Sequence, residues 1–214
     1  MKKSLALVLA LTMVAAMAAC TPANNNNDTT TEATGTTTEA TTEATTEATT
    51  EATTENNTVN SALNLLNATW AHFPEDGKFP VMGGDAENPN WEGPGAVTLT
   101  GVEGNPLWQL NIPEDQVANF TEAATMMHAM NTNTFACGAM KLADHANKTA
   151  VAKAIADGIL STHWMCGFPE RMIVISVGDY LVVAFGLQMN ITNLQNALTA
   201  IATDVQILHD EAIH

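Results

Sequence analysis

"IPEDQVANFTEAATMMHAM", residues 112–130, running into "NTNTFACGAM", residues 131–140, is the stretch on which the fold turns. Pro113, Glu114 and Asp115 make a good first helical turn: the missing proline N–H costs nothing there, and the acids suit the positive end of the helix dipole. Val117, Phe120, Ala124 and Met127 then share one helical face, with Met130 at its edge, so the spacing predicts a helix. Met126, Met127, His128, Met130, Cys137 and Met140 also look like a box of soft metal donors. On a regular helix, however, Met126 and His128 stand two residues apart and diverge. They cannot clamp one ion, and Met127 and Phe120 read as core, where methionine fills gaps.

Downstream, the rhythm becomes strand, helix, strand, strand, helix, strand. "TFACGAMKLA" is an apolar strand, and "NKTAVAKAIADGILSTH" a helix with Val151, Ile155 and Ile159 on one face and Asn147 as its cap. "RMIVISVGDYLVVAFG" is the strongest local signal, two strands joined by the turn Gly178-Asp179. "NITNLQNALTAIATD" carries Ile191, Leu194, Leu198 and Ile201 on a helical face, and "VQILHDEAI" closes as a strand. The order resembles the ferredoxin-like split β-α-β-β-α-β plan over residues 134–214, within an α+β domain spanning 59–214. With Val177 opposite Tyr180, both faces of the hairpin are apolar, whereas the two helices of that plan cover one. The second face must be covered by the segment 59–133 or by a second subunit, and the spare apolar faces of that segment favour the first.

That segment opens with "VNSALNLLNATWAHF", a helix with Val59, Leu63, Leu66, Trp70 and Phe73 on one face. "PEDGKFPVMGGDAENPNWEGPG", residues 74–95, has no period and piles up Pro, Gly and acids. A connection this long inside a domain is commonly a binding loop, with Phe79, Met82, Asp85 and Trp91 as its ligand-contacting residues; the alternative is a surface loop whose Phe79, Met82 and Trp91 cap the core. Two short strands are expected near 96–100 and 107–111.

Residues 1–19, "MKKSLALVLALTMVAAMAA", have the charged start, short apolar run and small-residue end of a secretory signal. The run is too short to span a bilayer. Met17-Ala18-Ala19-Cys20 resembles a bacterial lipobox, which implies lipidation of Cys20 as a diacylglyceryl-type anchor. Residues 20–58 repeat T-T-E-A, with Glu39, Glu43, Glu47, Glu51 and Glu55 four apart. Threonine disfavours helix and the like charges repel, so this segment reads as a tether with a reach of about 35 Å.

The chain carries a formal charge of −16; removing Lys2 and Lys3 with the signal gives −18, and setting aside the seven acids of the tether leaves −11 for the domain. Such a surface repels nucleic acid and anionic lipid heads. No G-x-S-x-G, H-E-x-x-H, glycine-rich phosphate loop or paired-cysteine metal motif occurs, so no catalytic residue and no cofactor is assigned. The His163 and Cys166 spacing is a weak basis for a hydrolase. The ferredoxin-like plan would gather Met130, Cys137, His163, Met165, Cys166, Met189, His209 and His214 at one pole, donors suited to Cu(I) or haem iron. It would also keep Cys137 and Cys166 a strand apart, as two free and mostly buried thiols.

"MAAC", "TTEATTEATTEA" and the hairpin together resemble the small lipoproteins of clostridial, Gram-positive bacteria. The resemblance implies a lipid-anchored domain on the extracytoplasmic face of the cell membrane, and no particular activity. The expected role is a non-enzymatic binding or accessory module for an envelope protein or small ligand. A copper or haem site is the alternative, and a cell-envelope hydrolase ranks last.

Overall fold

In a computed structural model of the chain, the structure describes residues 60–214. The expected signal at residues 1–19, the expected anchor Cys20 and the expected tether to residue 58 lie outside them. The elements run α1 (Ala62–Ala71), β1 (Val81–Gly84), β2 (Pro89–Asn90), β3 (Gly95–Val97), β4 (Phe120–His128), β5 (Phe135–Leu142), α2 (Lys148–Leu160), β6 (Arg171–Val177), β7 (Tyr180–Gly186), α3 (Gln188–Ile201) and β8 (Val205–Ala212). The domain is α+β, with one antiparallel sheet in the order β2-β1-β4-β5-β7-β6-β8 and β3 pairing with β4.

Residues 112–130 are not a helix. Only Glu114–Asn119 is helical, as a short 3-10 helix capped by Pro113, and Phe120–His128 is a strand deep in the sheet. Ala124 and Met126 face one core, while Ala123 and Met127 face the other. A strand buried on both sides shows no polar alternation, and "AATMM" therefore matched a helical face as well as a strand. Met126 and His128, two apart on a strand, lie on the same side, contrary to the helical reading. Met126 is sealed in the core, and the His128 ring stacks on Phe79 with centroids 4.9 Å apart.

This one strand redirects the rest. The β-α-β-β-α-β order is present from β5 to β8, and β5 and β6 flank β7 as that plan requires. In a ferredoxin-like sheet the last strand would pair with β5, but β4 holds that edge, with Met126 opposite Cys137 and Met127 opposite Ala136. β8 pairs instead with β6. The crossovers β5-α2-β6 and β7-α3-β8 now step the same way across the sheet from antiparallel starting strands. Right-handed connections then put their helices on opposite faces. So it is found: α2 packs on Met172, Val174, Leu181, Val183 and Phe185, and α3 on Ile173, Ile175, Val182 and Ala184.

Both faces of the β6–β7 hairpin are buried as expected, with Val177 opposite Tyr180. The cover differs from expectation, because the segment before β4 serves both faces. α1 lies beside α3 through Ala62, Leu65 and Leu66, and Leu107, Leu110 and Ile112 lie beside α2. α1 starts at Ser61, whose Oγ accepts from the Asn64 N–H at 3.0 Å, and Glu122 Oε1 accepts from the Ala62 N–H at 2.7 Å. A cap of this kind is worth about 1 kcal/mol. Asn147 caps α2 as expected, accepting from the Ala150 N–H. Among the described residues no helix is long and apolar enough to cross a membrane.

Candidate functional site

β1 and β3 take successive places on the same edge of β4, so two backbones must cross where one ends and the other begins. A Cβ on Gly83 would stand 2.1 Å from the Thr125 carbonyl oxygen, and one on Gly95 would stand 2.4 Å from the Gly84 nitrogen. Only glycine allows this approach. Thr125, buried beneath the crossing, locks it: its hydroxyl accepts from the Gly84 N–H at 2.9 Å and donates to the Gly84 carbonyl at 3.1 Å. Beyond the crossing the chain leaves the main sheet and pairs briefly with β2.

The segments that follow are pinned by their own side chains. Asp85 Oδ1 accepts from the N–H groups of Glu87 (3.0 Å) and Asn88 (2.8 Å), while Oδ2 accepts from the Thr98 N–H at 2.7 Å. These bonds favour the ionised form and hold the Asp85 carboxyl below its ordinary range, with the Thr98 amide the largest cause. Asn90 closes the next loop, donating to the Pro94 carbonyl and accepting from the Glu92 N–H. Trp91 sits at its tip. Asn105 braces a third segment, donating to the Ile112 carbonyl at 2.7 Å and accepting from the Leu107 N–H at 2.9 Å. Leu107 and Leu110 are buried on either side of Trp108, and Leu110 occupies the space a Cβ at Gly138 would need.

Together these segments enclose an open cleft of about 680 Å³, lined by Met82, Asp85, Trp91, Glu103, Trp108 and Gln109 among others. That is within the range of small-molecule sites. Trp91 is 68% exposed and Trp108 67%. An indole left in water forgoes a large burial energy, and two on one cleft are an unusual surface.

Of the four loop residues singled out in sequence, Met82, Asp85 and Trp91 come together in this cleft. Phe79 does not. Partly buried, it caps the core as the alternative reading had it, between His128 and Phe135 with centroids 4.9 and 5.2 Å away. Asp85 lines the cleft, although its carboxylate oxygens are engaged by backbone amides. Sequence reading missed Trp108, Glu103 and Gln109. The expected strand at 107–111 is a 3-10 turn over Trp108–Leu110; the signal was the three-residue step from Leu107 to Leu110 with a tryptophan between.

The polar cluster of soft donors comes together only in part. β5 and β6 start, and β7 and β8 end, at the same end of the sheet. There Met130 is 82% and Met165 86% exposed, with Cys166, His163 and Met189 exposed as well. Asn133 joins the two loops, donating to the carbonyls of Cys166 (2.9 Å) and Gly167 (3.2 Å). Cys137 is elsewhere, fully buried on the α1/α3 side, where desolvation pushes its thiol far above the ordinary value. His209 lies part way along β8 opposite Val174, with Nδ1 3.4 Å from Glu211, and His214 is exposed at the last position. Among the described residues no three His, Cys, Asp or Glu side chains stand where they could hold a metal ion. Both thiols are free, but only Cys137 is buried; the expectation of burial fails for Cys166.

The fold defines a class, an α+β domain on an eight-stranded antiparallel sheet with a tryptophan-flanked cleft at one edge. No protein-family model, curated protein or solved structure matches the chain.

Proposed function

We propose that the protein is a lipoprotein held by Cys20 on the extracytoplasmic face of the cell membrane, where its domain acts as a non-enzymatic binding module. The ligand enters the cleft between Trp91 and Trp108. The observation that carries this reading is the pair of exposed indoles, each on a segment fixed by side-chain hydrogen bonds, on one cavity of ligand size. Rigid aromatic surfaces bind without a large ordering cost. The sequence of residues 1–58 supports the anchor and tether. The copper or haem reading has less support, because Cys137 is enclosed in the core and no three His, Cys, Asp or Glu side chains among the described residues stand where they could hold a metal ion.

The test is hydrogen exchange on the purified chain with and without cell-envelope extract. Protection concentrated in residues 85–109 is expected; protection only at the end carrying Met130 and Met165 would move the site there. For the anchor, Cys20→Ser should abolish partitioning into the detergent phase, and normal partitioning would contradict it.

A further inference from the structure

The cleft carries three carboxylates, Asp85, Glu87 and Glu103, and no lysine or arginine. The five cationic residues of the described chain are Lys78, Lys141, Lys148, Lys153 and Arg171. Four of them are engaged away from the cleft. Lys78 pairs with Glu75, Lys153 with Asp157 and Arg171 with Asp210, while Lys148 donates to Ser176 Oγ and the Gly178 carbonyl. The negative charge of the cleft is thus uncompensated from within.

That charge is also fixed in place. Three backbone N–H groups favour the ionised form of Asp85 and hold its carboxyl below the ordinary range, which fixes one negative charge in the cleft wall. An anionic ligand would be repelled, and a neutral one would gain nothing from it. A hard metal ion is usually held by several converging carboxylates, and no three His, Cys, Asp or Glu side chains converge in that way among the described residues. What joins the two features is a cation that also prefers an aromatic face. An ammonium group over an indole is attracted by the ring quadrupole, and nearby carboxylates add to the pull.

We propose that the cleft between Trp91 and Trp108 binds an organic ammonium ligand, with its cationic group against the indoles and the Glu87 and Glu103 carboxylates. A volume of about 680 Å³ is far larger than one ammonium group, so the ligand has an extended body. The same chemistry is offered by a free polyamine or by the lysine side chains of a peptide. This inference rests on the cleft being the binding site.

The experiment titrates the purified full chain, in detergent and at low salt, with choline, spermidine, trilysine and, as a neutral probe, N-acetylglucosamine. Indole fluorescence and calorimetry give the readout. Saturable amine binding that weakens with added salt is expected, reduced about tenfold in Trp108→Ala or Trp91→Ala and about threefold in Glu103→Gln. Tighter binding of spermidine points to a free amine, and tighter binding of trilysine to a peptide. The sugar binding through the tryptophans, with unchanged affinity in Glu103→Gln, would overturn the ammonium assignment and leave the cleft in place. Amine binding undiminished in both tryptophan variants would overturn the cleft reading itself. No amine binding at millimolar concentration overturns the inference.

Discussion

The methionine-rich hairpin of β4 and β5 and the tryptophan cleft beside it both draw attention as ligand chemistry, yet the structure treats them oppositely. Met126, Met127, Cys137 and Met140 are fully enclosed, filling the two cores on either side of the sheet. Trp91 and Trp108 are kept in water by backbones fastened from below. Residue chemistry alone did not separate the two. The difference lies in what the backbone does: a strand in mid-sheet buries most of the side chains it carries, whereas a pinned loop can present one to water. Met126 and Met127, the sulfur donors closest in sequence to His128, proved to be packing, and the bulky indoles proved to be surface.

If that contrast holds, changes in the two regions should have opposite signatures. The largest effect is expected from Met126→Ala, which empties a fully buried site and should lose about 2–5 kcal/mol of unfolding free energy in denaturant titration. A loss under about 1 kcal/mol would mean the β4–β5 core is looser than described. Gly95→Ala should cost about 3 kcal/mol although it adds one methyl group, because that carbon meets the backbone of Gly84. Thermal unfolding of that variant would also report whether the cleft is tied to the sheet through this crossing.

Asp85→Asn is expected to act more gently, lowering the melting temperature by a few degrees at neutral pH. The sign of its pH dependence is set by the depressed pKa of Asp85. The carboxylate contributes fully above its unfolded value, about 3.9, and loses that contribution as pH falls through the lower folded value. The gap between wild type and Asp85→Asn should therefore close in acid below pH about 4. A gap that stays constant across the same range would show that the ionised form of Asp85 is not what stabilises the fold. The thiols sharpen the contrast without changing stability: exposed Cys166 should react quickly with a thiol reagent, and Cys137 only on unfolding. Fast reaction of both would place Cys137 outside the core.

The half of the domain from β5 to β8 was legible because its signals are local. A two-residue turn sets the β6–β7 register, Asn147 starts α2, and apolar residues recur at helical spacing in α2 and α3. The strand order was not legible, since it depends on which segment takes the free edge of β5. That was decided by β4, whose two-sided burial removes the alternation a strand would otherwise show. One misread element thus changed the placement of β8 and moved α3 to the opposite face. In the cleft, Met82, Asp85 and Trp91 were visible because residues 74–95 lack any period and concentrate turn formers and acids. Trp108 was hidden in "PLWQLNI", whose alternation suits a strand, and Phe79 stayed divided between ligand contact and core cap because nothing local announces its stack on His128.

The central claim is that the two indoles are held out for a ligand and do not support the fold. Denaturant unfolding of the double variant Trp91→Ala/Trp108→Ala tests it most directly. Exposed side chains away from the core should leave the unfolding free energy within about 1 kcal/mol of wild type, with an unchanged denaturant slope. A loss of about 3 kcal/mol or more would show that the tryptophans are buried structural residues and that the cleft does not exist as described.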